Sequence, residues 1–170
     1  MNQSEKILIA GLGSAHGDDQ AGWLVAENVA LQCQGHPDVT VRKAAIPLDV
    51  FDWLEGVDIL HVCDACEATP GHGNLHRFKL IDGQLADSMN SLNPELHATL
   101  QSLRSRGSHD FGLPDVLRLA TEIQQLPKRV IVWAIGGTDF QPGAEMTAEA
   151  TAAASQAVVE ILKELRTCHA

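Results

Sequence analysis

Three short apolar runs, KILIAGL (residues 6–12), VDILHVC (57–63) and RVIVWAI (129–135), are interleaved with segments of helical periodicity. That alternation restricts the fold more than any other feature of the chain, because runs apolar on both faces suit the interior of a parallel sheet. A more polar run, VTVRKAA (39–45), reads as a further strand, and LHRFKLI (75–81) as a strand at a sheet edge. Between them, AGWLVAENVALQC places Leu24, Val25, Asn28 and Val29 on one helical face, and Pro47 opens a short helix through Trp53 and Leu54. A helix from Pro114 to about Gln125 carries the stripe Val116, Leu117, Ala120 and Ile123, with Asp115 in its first turn. The last segment, TAEATAAASQAVVEILKELR, is amphipathic with Ala154, Val158, Ile161, Leu162 and Leu165 inside. Residues 81–107 are polar and weakly periodic and read as loop, with NPE as a turn or helix start. The expected architecture is a single three-layer α/β domain over residues 1–170, a mostly parallel twisted sheet with helices on both faces.

A chain of 170 residues holds one core and is short for two. Its 22 acidic against 12 basic side chains give a net charge of -10, which repels phosphate backbones and excludes nucleic acid as an expected partner. No window approaches the roughly 18 apolar residues of a membrane span, and the first residues, MNQSEKILIAGLGS, lack the pattern of an export signal. With Cys33, Cys63, Cys66 and Cys168 scattered along the chain, reduced thiols in the cytoplasm are the expectation.

Sheets of this type bind ligands beyond the carboxyl ends of their strands. Three polar groups fall there. The first is GLGSAHGDDQAG (11–22). It has His16 where the dinucleotide fingerprint needs glycine, no lysine for a phosphate cradle, and Asp18 and Asp19 where a pyrophosphate would sit. One aspartate can cap the helix while the other, held ionised at a helix start, serves as a hard metal ligand. The second is DAC, with Asp64 at the end of an apolar strand, on the face shared by Leu60 and Val62 and opposite Ile59, His61 and Cys63. An aspartate capping the following loop is the plainer reading. The third is GSHDFG (107–112), where His109 precedes a helix and an imidazole can be presented to the crevice; an ordinary surface histidine is the alternative.

Other candidates are weaker. Cys63 and Cys66 form C-x-x-C, but the first cysteine lies inside a strand rather than at a helix start, so packing is expected for Cys63 and a reachable thiol for Cys66. His72 and His76 are spaced for a helix but fall on turn and strand, roughly 13 Å apart at about 3.3 Å per residue. His61 reads as a satisfied core histidine, and His16 as a group behind the site.

In order, GLGSAHGDDQAG, DAC and SHDFGL resemble the three motifs of the nickel-iron hydrogenase maturation proteases, and the late IGGTDFQPG segment is similar too, so the resemblance spans roughly residues 5 to 143. Ser14 stands where the family usually has asparagine, the first loop is one residue shorter, and Gln20 replaces the usual glycine. The resemblance implies Asp19, Asp64 and His109 as metal ligands and catalytic residues. It implies an endopeptidase that removes the C-terminal extension of a hydrogenase large-subunit precursor after nickel insertion. Nickel would be supplied by or shared with that substrate, and other divalent ions would substitute; two carboxylates and one imidazole leave positions open for partner thiolates and water. Two other readings of the same residues stay open: a two-carboxylate hydrolase in which Asp19 and Asp64 share a proton, and a non-cleaving nickel checkpoint that grips the precursor.

Overall fold

A computed structural model of the chain describes residues 4–68, 74–85, 103 and 112–168. The first apolar run becomes β1 (Ile7–Leu12), buried throughout. A 3-10 turn (Gly17–Gln20) leads into α1 (Ala21–Gln32), and β2 (Val39–Ala44) and α2 (Pro47–Phe51) follow. The chain continues through β3 (Ile59–Glu67), β4 (Leu75–Ile81), the two-residue β5 (Gln84–Leu85), α3 (Leu113–Glu122), β6 (Arg129–Gly137) and α4 (Ala148–Cys168). The strands form one six-stranded sheet in the order β2-β1-β3-β6-β4-β5. β2, β1, β3 and β6 are parallel, and β4 and β5 join antiparallel at one side. This is the expected three-layer α/β arrangement with a mostly parallel sheet.

Strand alternation divides the core in two. Ile7, Ile9, Ile59, Cys63, Ile131, Trp133 and Ile135 face α1 and α4, where they meet Val25, Val29, Ala154 and Ile161. Leu8, Ala10, Leu60, Val62, Val130 and Val132 face the other way and pack with Val50, Leu113, Leu117 and Leu103. The outer strand β2 is half-buried or exposed from Val39 to Lys43 and buried at Ala44. Its Arg42 lies 5.1 Å over the Trp53 ring and Lys43 5.2 Å over the Trp23 ring, so the edge carries charge held flat on aromatic faces.

Several expected boundaries move. β3 and β6 run on to Glu67 and Gly137, because each supplies the other with a parallel partner as far as Glu67 opposite Gly137. α2 stops at Phe51, short of the expected Leu54. α1 buries Ala21, Gly22, Val25, Ala26 and Val29, whereas Asn28 turns its side chain to the Leu24 carbonyl. α3 ends at Glu122, and Ile123, expected inside, is 46% exposed. Among the described residues β4 stands at the sheet edge over Leu75–Lys79, as expected, and the short β5 pairs with its outer side at Leu80 and Ile81. Within the polar stretch read as loop, Gln84–Leu85 form that strand and Leu103 is buried.

Candidate functional site

β1 leaves the sheet at Leu12, and the Gly13 N–H donates to the Ala44 carbonyl at the end of β2 (3.1 Å). The chain then folds back: the Ser14 N–H donates to the Asp19 carbonyl (3.3 Å) and the Asp19 N–H to the His16 carbonyl (3.1 Å). This loop presents Asp19 half-buried at the carboxyl edge of the sheet. Gly17 makes the reversal with φ +51, and a Cβ there would stand 2.2 Å from the Asp139 carbonyl oxygen, so glycine is required twice over.

Neither aspartate caps its own helix, so the capping reading open for one of them is not realised. Asp18 is fully buried and faces a distant segment. Its Oδ2 accepts the N–H groups of Thr138 (2.7 Å) and Asp139 (3.1 Å), and its Oδ1 accepts the N–H of Thr147 (2.7 Å). The Thr147 hydroxyl also donates to it, at 3.0 Å from Oδ1. Burial pushes this carboxyl up, but the bonds from Thr147, Asp139 and Thr138 together outweigh burial and leave it below the usual range. Gly137 is tied to the same contact, since a Cβ there would lie 2.5 Å from the Asp18 Cβ.

Asp64 lies within β3, opposite Ala134 of β6, rather than at the strand's end as expected. It is 9% exposed. Burial and then the negative charge of Asp19 hold its carboxyl well above the ordinary range, against an opposing bond from the Ala65 backbone. The fold therefore brings Asp19 and Asp64 within electrostatic reach of each other at the carboxyl edge. A pair of this kind is relieved by sharing a proton or by a cation, and its oxygen donors fit a hard or borderline divalent ion. His109, the third expected ligand, lies outside the described residues, as does His72. Among the described residues no group of three or more His, Cys, Asp or Glu side chains gathers to hold a metal.

The remaining candidates have structural duties. Cys63 and Cys66 are 0% and 2% exposed and pack into different halves of the core, so they do not chelate together and Cys66 is not the reachable thiol expected. Burial, then the charge of Asp64, pushes the Cys63 thiol far above the thiolate range. His61 is the core histidine expected: it is 2% exposed and its Nδ1 accepts the Trp133 indole N–H (3.2 Å). Burial lowers its pKa to about 4, with Glu164 opposing and Arg77 and Arg129 adding to the fall. His16 is exposed and its Nδ1 accepts the Gly143 N–H (3.3 Å), which brackets the first loop to the segment after β6. A groove of about 580 Å³ runs along that segment, lined by Glu67, Ala68, Thr138, Asp139, Phe140 and Pro142. Sequence reasoning missed Thr147. Threonine before a helical run signals an N-cap, and its hydroxyl does accept the Ala150 N–H (3.2 Å), but its bond to Asp18 spans 129 residues and leaves no local trace.

No protein-family model and no curated protein matches the sequence. Solved structures do match over nearly the whole chain. The hydrogenase 2 maturation peptidase of Thaumarchaeota archaeon SCGC_AB-539-E09 is 26% identical with a TM-score of 0.60, covering 95% of this chain and 98% of that one. The hydrogenase maturating endopeptidase HybD of E. coli is 18% identical with a TM-score of 0.66, covering 95% and 93%. The [NiFe] hydrogenase maturation protease HycI of Thermococcus kodakarensis is 15% identical with a TM-score of 0.63, covering 97% and 95%. From the first loop to the last helix, this chain has the fold of the hydrogenase maturation proteases.

Proposed function

We propose that this chain is an endopeptidase of hydrogenase maturation, which removes the C-terminal extension of a nickel-iron hydrogenase large-subunit precursor once nickel has been inserted. The observation that carries the reading is the Asp19 and Asp64 pair, one on the turn after β1 and one on β3, in a chain that matches maturation peptidases over almost its full length. Asp19, Asp64 and His109 would hold the ion, and nickel bound there supplies Lewis acidity and a recognition charge. Asp64, buried on β3, presents one oxygen donor, and Asp19 on the first loop presents another. The proline-bearing segment after β6, tied to the Asp19 turn through Asp18, forms one wall of a groove that would hold an extended chain.

A second reading is favoured by the raised pKa of Asp64. A carboxyl kept basic by burial and by the charge of Asp19 can share one proton with it and activate water without an ion. The deciding experiment incubates chelator-stripped protease with nickel-loaded and nickel-free precursor and follows release of the extension by mass spectrometry. Cleavage confined to the loaded precursor, and lost in Asp19→Asn, Asp64→Asn and His109→Ala proteins of unchanged circular dichroism, is the expected result. Equal cleavage of both precursors would favour the two-carboxylate reading, and stable binding without cleavage would make the chain a checkpoint.

A further inference from the structure

Among the described residues the buried polar side chains are Asp18, His61 and Asp64. Asp64 belongs to the candidate site and His61 is occupied by Trp133, which leaves the Asp18 carboxylate without an assigned role. Its partners all come from far along the chain: the backbone at Thr138 and Asp139 just past β6, and Thr147 at the start of α4. The link is reciprocated. The Asp18 N–H donates to the Asp139 carbonyl (2.7 Å), the Gly17 N–H to the Ala144 carbonyl (3.0 Å), and the Gly143 N–H to His16 (3.3 Å). The turn that carries Asp19 is thus fastened through His16, Gly17 and Asp18 to residues 138–147, while among the described residues the backbone bonds of Asp19 itself are local, to His16 and Ser14.

We propose that Asp18 is a positioning residue, a buried clamp that fixes Asp19 in place beside Asp64 and fixes the Thr138–Asp139 wall of the groove to the same pivot. For its part in the reaction this rests on the function proposed above. Every group around the carboxylate is a donor: three backbone N–H groups and one hydroxyl. An anion at the start of α4 also complements the helix dipole. Asparagine has the right shape but would aim its own N–H₂ at donors, so Asp18→Asn strands buried polar groups and endangers folding.

Thr147 offers the gentler test. Thr147→Val deletes the hydroxyl at nearly constant volume and leaves the backbone bond to Asp18, while Thr147→Ser retains both. Ile161→Val, in the core of α4, is a control for plain loss of stability. Amide hydrogen exchange at Gly17–Gln20 is compared with that of β3, and kcat and KM are measured on nickel-loaded precursor, all well below each melting temperature. In Thr147→Val, exchange at the Asp18 and Asp19 amides rises about tenfold relative to β3. Its kcat falls about tenfold, the cost of a displaced reacting group, with a smaller change in KM. Thr147→Ser behaves as the parent, and Ile161→Val moves neither readout. Exchange in Thr147→Val that matches Ile161→Val, or a loosened turn with kcat intact, overturns the proposal. If the parent protein cleaves no precursor, the functional reading has failed, and the exchange comparison alone then decides whether the clamp fixes the Asp19 turn.

Discussion

Asp64 is held where its ionised form is disfavoured, by burial first and by the charge of Asp19 second. The linkage sign follows from the direction of the shift. The folded protein binds this proton more tightly than the unfolded chain does, so stability is full below the ordinary carboxyl range and declines as pH rises toward the folded value. Asp64→Asn removes that penalty at little change in shape. The metal-free variant is therefore expected to be more stable than the parent at pH 7, by about 1–2 kcal/mol in urea unfolding, while losing the proposed activity. A variant that loses both stability and activity would show that the carboxylate is needed for the fold. Asp18, its buried counterpart, is shifted the other way by its donors: its contribution is present above the ordinary carboxyl range and is lost as pH falls below it.

At the level of elements, α4 is distinguished by small residues. Ala150, Ala153, Ala154 and Ala157 are all buried, and their size lets the helix lie close to α1 and the sheet. Ala154→Leu inserts three carbons into a site with no exposed surface and should cost about 1–3 kcal/mol, read from the urea midpoint. The sequence made α4 legible through Ala154, Val158, Ile161 and Leu165, because helical periodicity is written within one segment. β1, β3 and β6 were legible for the same reason. Their true ends were not, since Cys66 and Glu67 become strand only by pairing with Gly136 and Gly137, about 70 residues on. The candidate site divides similarly. Asp19 and Asp64 were singled out by local motifs and their resemblance to a family, His109 lies outside the described residues, and the partners of Asp18 were invisible because a contact spanning 120 residues or more has no spacing to read.

For the whole molecule the buried histidine sets an acid limit. His61 is kept neutral, its pKa lowered from 6.5 to about 4, so the unfolded chain binds the extra proton between those values. Its contribution is full above pH 6.5 and is lost as pH falls toward 4. Measured in an Asp64→Asn background, which removes the opposing slope, unfolding free energy should drop by about 2–3 kcal/mol across that window. A flat profile would mean that His61 accepts its proton without leaving the core. The two margins of the sheet have a consequence of another kind. At one side β2 shows Arg42 and Lys43 pinned over Trp53 and Trp23; at the other, β5 offers only two residues of backbone. An incoming strand would have to displace charges at the first, whereas at the second β5 covers only Leu80 and Ile81 and, among the described residues, leaves the outer side of Leu75–Lys79 of β4 without a partner strand. A second copy of the chain therefore meets a poor template at the β2 margin, and edge-to-edge pairing is disfavoured there.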